Sequence, residues 1–61
     1  MTDREREVLR LLVAGKTDRE IADVLFVSRR TAEWHARNVM GKLGATNRVE
    51  AAAVALRLGL A

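Results

Sequence analysis

Four side chains between residues 29 and 43 have types and spacings suited to recognising nucleic-acid bases. Arg30, Glu33, Trp34 and Arg37 recur at helical intervals, which places them on one face of an α-helix. An arginine fork donates two hydrogen bonds to guanine O6 and N7, a glutamate accepts one from the cytosine amino group, and an apolar side chain contacts the thymine methyl group. These residue types on one helical face predict base reading in the major groove of double-stranded DNA.

Glu33 and Trp34 each have a second interpretation. Glu33 either accepts from cytosine or orients Arg30 and Arg37 by its charge. Trp34 either presses on a thymine methyl group or a sugar, or folds back over the end of the preceding helix. Both pairs of alternatives remain open at the level of sequence.

Other polar residues lie near predicted helix ends, from which contacts reach phosphates and fix the register of a protein on the duplex. The predicted phosphate contacts are Thr17, Arg19, Ser28, Arg29, Thr31, Asn38 and Lys42. Lys42 alternatively complements the negative end of its helix, and Asn38 alternatively stays solvated. On the apolar side of the same helix, His35 is expected to be a hydrogen-bonded core residue rather than a catalyst.

The positive charge of the chain is concentrated around this helix. The 61 residues carry a net charge of +3, but residues 28–48 alone carry +4, from five basic residues against Glu33. Residues 1–27 carry −1, and residues 49–61 are neutral. A local basic excess predicts a polyanionic partner, although a solvated helix face would show the same charge.

Helix starts are marked by a capping residue three positions before a glutamate, because the two side chains then bind unpaired backbone N–H groups. The pairs are Thr2 with Glu5, Thr17 with Glu20, and Asn47 with Glu50; Ser28 is a further N-cap, and Gly15 and Gly44 mark helix ends. These signals predict one all-α domain over residues 1–61, a four-helix bundle-like fold containing a helix-turn-helix. The helices are expected at about 3–14, 18–26, 29–43 and 48–58.

Apolar residues at helical intervals predict the core. They are Val8, Leu9, Leu11 and Leu12 in the first helix; Ile21, Ala22 and either Val24 or Leu25 in the second; Val27 at the corner; and Ala32, His35, Ala36, Val39, Met40 and Leu43 in the third. The fourth helix has two apolar stripes, one of Ala51, Val54, Ala55 and Leu58, the other of Val49, Ala52, Ala53 and Leu56. One stripe suffices for docking, so the second is either an interaction surface or part of a helix that is simply alanine-rich.

Composition disfavours several classes of protein. Cysteine is absent, which excludes disulfides, and one histidine cannot build a metal site alone. We find no nucleophile–base pair or glycine-rich phosphate loop, so we expect neither an enzyme nor a cofactor. No apolar run approaches the roughly 20 residues of a membrane span, so we expect a cytoplasmic protein without membrane contact. A core this small is marginal, so we expect support from a second subunit or a larger parent protein.

Motif spacing over most of the chain resembles that of the LuxR/GerE-type helix-turn-helix domain. The matching segments are residues 2–9 (Thr-Asp-Arg-Glu-Arg-Glu-Val-Leu), Glu20-Ile21-Ala22, Val27-Ser28, Thr31, His35, Asn38-Val39, Lys42-Leu43-Gly44, Asn47-Arg48, Ala51 and Gly59-Leu60. The resemblance implies the DNA-binding output domain of a bacterial transcriptional regulator, cytoplasmic and nucleoid-associated. It also implies a homodimer on DNA, with RNA polymerase or a regulatory domain of a longer parent protein as further partners. The implied dimer contacts are Val49, Ala52, Ala53 and Leu56.

The chain departs from that family at positions that bear on recognition. The family often has Thr-Val-Lys where this chain has Thr31-Ala32-Glu33, and a glutamate accepts where a lysine donates. Glu-Trp-His at residues 33–35 is similar to a variant of many actinobacterial members. The DNA target therefore cannot be copied from better-known relatives. Met1 replaces a usual leucine, which fits an excised output domain, while a small regulator complete in itself remains open.

Two other functions are compatible with parts of the chain. The promoter-reading region of a sigma factor resembles residues 3–43, but such regions usually end near the recognition helix, whereas this chain continues to Ala61. A helical module that dimerises or docks another protein through its fourth helix is the other alternative. Such a module would tolerate replacement of Arg30, Trp34 and Arg37, and a DNA reader would not.

Overall fold

The computed structural model describes residues 1–60, and these residues form four α-helices and no strand. The helices are α1 (Asp3–Val13), α2 (Asp18–Leu25), α3 (Arg29–Leu43) and α4 (Arg48–Leu58). The predicted all-α fold with a helix-turn-helix is therefore confirmed. Within residues 1–60, no helix is both long enough and apolar enough to cross a membrane.

Each helix begins at the capping residue that the sequence predicted. Thr2 and Glu5, and likewise Thr17 and Glu20, exchange two hydrogen bonds between side chain and backbone. At α4 the exchange is incomplete. The side chain of Asn47 accepts from the backbone N–H of Glu50, but the carboxylate of Glu50 accepts from the backbone N–H of Thr46 and not from that of Asn47. These local bonds fix where the helices start, which is why the starts were predictable.

Two helices end one residue earlier than predicted. Helix α1 ends at Val13, and the chain then turns through Gly15 at a φ of 78°. Helix α2 ends at Leu25 because Phe26 adopts the left-handed conformation, with a φ of 57°. A left-handed residue cannot continue a right-handed helix, so the corner of the helix-turn-helix starts at Phe26. The predicted stops at Gly15 and Gly44 are confirmed.

Helix α3 lies at the centre of the domain and packs against the other three helices, while α1 also packs against α4. The buried core consists of Val8, Leu9, Leu12, Ile21, Ala22, Leu25, Ala32, Ala36, Val39 and Ala55, with Val27, Leu11 and Leu43 packed at its edge. Of the two alternatives predicted for α2, Leu25 is buried and Val24 is exposed. His35 and Met40, predicted for the core, are only half-buried.

Helix α4 docks through one of its two apolar stripes. Ala51 and Ala55 are fully buried, whereas Val49 is 81% exposed and Leu56 is 62% exposed. Leu58, which the pattern placed on the inner stripe, is exposed because it lies in the last turn of α4, at the edge of the domain. The other stripe faces outward, with Val49, Ala53 and Leu56 exposed and Ala52 half-buried.

A partly buried ion pair joins the start of α1 to the end of α3. The Nζ of Lys42 lies 2.7 Å from Oε2 of Glu5 and donates to Oε1 at 2.8 Å. The hydrogen bond from Lys42, followed by that from the backbone N–H of Thr2, lowers the pKa of Glu5 from 4.5 to about 2. Sequence reasoning missed this pair because its members are 37 residues apart.

Candidate nucleic-acid interface

The outer face of α3 carries the four side chains predicted to read bases. Arg30, Glu33, Trp34 and Arg37 together line one shallow groove. On the opposite face of the same helix, the alanines at 32 and 36 and the valine at 39 are buried in the core. The helix is thus held by one face and presents an arginine-rich, aromatic face to solvent.

Glu33 forms an ion pair with Arg37, one helical turn further on. The Nη2 of Arg37 donates to Oε1 of Glu33 at 2.7 Å, and both side chains are largely exposed. Arg30 forms no ion pair with any of the residues 1–60. Glu33 therefore orients Arg37 and leaves Arg30 free, while acceptance from cytosine stays a prediction. An exposed pair of this kind is weak enough to be exchanged for a base.

The indole ring of Trp34 remains on the outer face. The side chain is 59% exposed and lies beside Arg30, Glu33 and Arg37, and its ring meets the edge of the His35 ring at a centroid distance of 5.1 Å. The alternative in which Trp34 folds back over α2 is not observed. An exposed indole next to two arginines is available to a base or a sugar.

The hydroxyl groups at the start of α3 have different roles. Oγ of Ser28 accepts from the backbone N–H of Thr31 at 3.1 Å and donates its own proton to Oγ1 of Thr31 at 2.9 Å. The two hydroxyl groups share one hydrogen bond, so one of their two protons is left for a phosphate. Contact of Ser28 or Thr31 with a phosphate stays a prediction.

A groove at the start of α2 gathers basic residues from three parts of the chain. Its lining consists of Gly15, Lys16, Thr17, Asp18, Arg19, Arg29 and Arg48. Arg48 pairs with the carboxylate of Asp18 and donates to the backbone carbonyl of Lys16 at 3.1 Å. We call this the basic groove. The structure thus brings together three of the predicted phosphate contacts, Thr17, Arg19 and Arg29, and their contact with a phosphate stays a prediction.

The basic groove also contains Lys16 and Arg48, which sequence reasoning missed. Lys16 directly precedes the N-cap Thr17, so the rule that selected the flanks of helix starts should have included it. Arg48 reaches the groove from the first position of α4, 32 residues away from Lys16, and no local signal could place it there.

The remaining predicted phosphate contacts lie towards the other end of α3. Lys42 is occupied by Glu5, as described above. Asn38 is half-buried on the flank of the helix, one turn from Lys42. Contact of either residue with a phosphate stays a prediction.

A one-sided recognition helix following a short corner, with basic residues around it, defines a helix-turn-helix protein of the DNA-binding class. Comparison with known families bears this out, since residues 1–55 match the model described as bacterial regulatory proteins, luxR family. The chain belongs to this family of DNA-binding transcription regulators. The resemblance inferred from the motifs is confirmed.

Individual relatives are similar along nearly the whole chain. Spore germination protein GerE of Bacillus subtilis (strain 168) is 49% identical over 59 residues, which are 97% of this chain and 80% of that protein. The uncharacterized response regulatory protein YgeK of Escherichia coli (strain K12) is 45% identical, over 98% of this chain and 41% of its own. The transcriptional activator protein SolR of Ralstonia solanacearum is 48% identical, over 98% of this chain and 25% of its own. The chain thus spans less than half of YgeK and SolR.

Proposed function

We propose that α3 enters the major groove of double-stranded DNA and reads base edges through Arg30, Glu33, Trp34 and Arg37. The observation that carries this proposal is the division of α3 into a buried apolar face and an exposed face on which these four side chains line one groove. Helix α3 has 15 residues and so is about 22 Å long, enough to lie along the groove.

Arg37 is the residue we assign to a guanine. Its guanidinium is already held by a hydrogen bond to Oε1 of Glu33, which lowers the entropy lost on binding a base. Bidentate hydrogen bonding to O6 and N7 of guanine requires two parallel donors, which the guanidinium group of arginine supplies. Glu33 then accepts from a neighbouring cytosine amino group. Phosphate contacts from the ends of α2 and α3 set the register.

Two copies pair on DNA through the outward stripe of α4, in this proposal. The stripe is Val49, Ala52, Ala53 and Leu56, whose spacings of three, one and three residues read the same in both directions. A two-fold axis midway between Ala52 and Ala53 therefore sets Val49 opposite Leu56 of the second copy and Ala52 opposite its Ala53. Alanines at the centre let the two helices approach closely, and the large apolar residues at each end cover them.

The proposed role is regulated transcription in the bacterial cytoplasm, at the nucleoid. YgeK is described as a response regulatory protein and SolR as a transcriptional activator, and both are longer than this chain. We infer that a regulatory domain of a longer parent protein, or RNA polymerase, completes the mechanism. Half-sites about one helical turn apart would match the two-fold arrangement of the domains.

Selection of bound duplexes from a random-sequence pool tests this function. We expect the purified domain to enrich an inverted repeat, and Arg37→Ala to lose enrichment of one base pair in each half-site. Arg10→Ala is the matched control, because Arg10 is exposed on α1 away from the interface. If the Arg37 and Arg10 variants enrich the same sequence as the unaltered domain, Arg37 does not read a base.

A helical interaction module is the second candidate, favoured by the exposure of Val49 and Leu56 on α4. In that case the domain would enrich no sequence, and replacement of Arg30, Trp34 or Arg37 would leave partner binding unchanged. Replacement of Val49 would abolish it.

A further inference from the structure

The basic groove holds more positive charge than the protein itself uses. Lys16, Arg19 and Arg29 form no ion pair with any of the residues 1–60, although Asp18 lies among them. The carboxylate of Asp18 is bound by Arg48 instead. Three cations line one groove of about 590 Å³, and the one acidic residue of its lining is already paired with Arg48.

Arg48 makes two contacts that connect α4 to the start of α2. Nη1 donates to the carbonyl of Lys16, and Nη2 pairs with Asp18. Both side chains of the pair are about one-third exposed, so the pair forms the wall of the groove rather than part of the core. Arg48 thus orients the segment that carries Lys16 and cancels the charge of Asp18.

We propose that the basic groove seats a backbone phosphate of the bound DNA, through Lys16, Arg19 and Arg29, and that Arg48 is the positioning residue of this seat. The inference rests on the proposed DNA-binding function and adds two residues to it. Without Arg48, the carboxylate of Asp18 would face the phosphate and repel it. With Arg48 in place, the groove presents a net charge of +3 from the residues that line it.

The phosphate seat also links the two parts of the proposed mechanism, DNA binding and pairing of two domains. Arg48 is the first residue of α4, the helix of the proposed dimer contact, and Asp18 is the first residue of α2. A phosphate bound in the groove therefore fixes the positions of both helix starts, that of α2 and that of α4, relative to the duplex. The anchor is built from side-chain cations, because the capping box of Thr17 and Glu20 already occupies two backbone N–H groups there.

Salt dependence of binding tests the proposal. The affinity of each variant for a fluorescent duplex of random sequence is measured by anisotropy between about 50 and 200 mM KCl, since non-specific affinity comes from phosphates. We expect Lys16→Ala to make the slope of log K against log salt less steep by about 0.9, the value for one phosphate contact. The side chain of Lys16 is exposed in a loop, so this variant carries little risk of misfolding. Arg10→Ala should leave the slope unchanged.

Variants of Asp18 and Arg48 distinguish an electrostatic effect of this pair on DNA binding from a purely structural one. We expect Asp18→Asn to bind the duplex about fivefold more tightly and Arg48→Ala about fivefold more weakly, the effect of one unit charge at close range in water. The double variant Asp18→Asn, Arg48→Ala should recover most of the lost affinity, because the exposed carboxylate is gone. Circular dichroism shows whether each variant is folded.

The outcomes separate this inference from the proposed function. If the unaltered domain binds with a steep salt slope while Lys16→Ala, Asp18→Asn and Arg48→Ala all behave like Arg10→Ala, the phosphate seat is wrong and the DNA-binding function stands. If the unaltered domain shows no salt-dependent binding, both are wrong. If inorganic phosphate at matched ionic strength displaces the duplex from the unaltered domain but not from Lys16→Ala, the groove is a site for a free anion and not a backbone seat.

Discussion

Phe26 combines two unfavourable features in one residue. Its φ of 57° lies in the left-handed region, and its side chain is 95% exposed. A left-handed backbone costs a residue with a Cβ about 1–2 kcal/mol, and exposure means that no packing compensates for it. The position is set by the corner of the helix-turn-helix, which needs a left-handed residue to turn α2 into α3.

We therefore expect Phe26→Asn to stabilise the domain, because asparagine adopts the left-handed conformation readily. The expected gain is about 1 kcal/mol, or a rise of about 4–8 °C in the midpoint of thermal unfolding for a domain of this size. Val24→Asn is the matched control: Val24 is half exposed but has ordinary helical backbone, so this change should lower the midpoint. An unchanged or lower midpoint for Phe26→Asn would show that the phenylalanine is not strained.

Ser28 and Thr31 allow a second test at this scale. Thr31→Val keeps the shape of the side chain but removes the hydroxyl proposed to bind a phosphate, so we expect DNA affinity to fall about tenfold with little change in stability. Ser28→Ala removes the N-cap of α3, so we expect it to cost about 1 kcal/mol of stability. Anisotropy and thermal unfolding measure the two effects. Equal losses of affinity in both variants, with equal stability, would contradict the division of roles.

At the scale of elements, the pair of Glu5 and Lys42 joins α1 to α3 and makes their contact sensitive to acid. The folded state holds the pKa of Glu5 at about 2, below its ordinary value of 4.5, chiefly through the hydrogen bond from Lys42. A lowered pKa means that the carboxylate contributes stability above about pH 4.5 and loses it as the pH falls towards 2.

We accordingly expect Glu5→Gln to be less stable than the unaltered domain at neutral pH, with the difference shrinking below pH 4.5 and vanishing near pH 2. Urea unfolding at a series of pH values measures it. Lys42→Met should show the same convergence, because it removes the partner of the same carboxylate. A difference independent of pH would mean that Glu5 acts through its packing alone.

At the scale of the whole molecule, the outward stripe of α4 is the proposed contact that makes two domains bind as one unit. In the proposed antiparallel register, Val49 faces Leu56 of the second copy, and both are well exposed in the single domain. Substitution there should not disturb folding, because the buried stripe is Ala51 and Ala55.

The register itself can be tested by charge. We expect Val49→Lys combined with Leu56→Glu to retain cooperative binding, because each lysine then faces a glutamate across the two-fold axis. Val49→Lys combined with Leu56→Lys should lose it. The measured quantity is the ratio of affinities for duplexes with two half-sites and with one, which cancels the direct effect of added charge on DNA binding. Equal ratios for the two variants would refute the register.

Local interactions explain why so much of the architecture followed from sequence. The cap residues Thr2, Thr17, Ser28 and Asn47 each bind a backbone N–H three positions away, so they act before any tertiary contact forms. The periodicity of α3 likewise separated its core face from its charged face, because the position of a residue along a helix determines the face on which its side chain lies. The spacing of the motifs along the chain was sufficient to identify the family.

Tertiary structure alone decided the features that depend on distant residues. Only the packed helices bring Lys42 to Glu5 and Arg48 to Asp18. The members of each pair are 30 or more residues apart, so no local sequence pattern indicates that they meet. The choice between Val24 and Leu25, and between the two stripes of α4, required knowledge of what covers each face. By itself the sequence determined the helices, their starts and the exposed face of α3, because these depend on neighbours along the chain. The basic groove and the free stripe of α4 depend on neighbours in space.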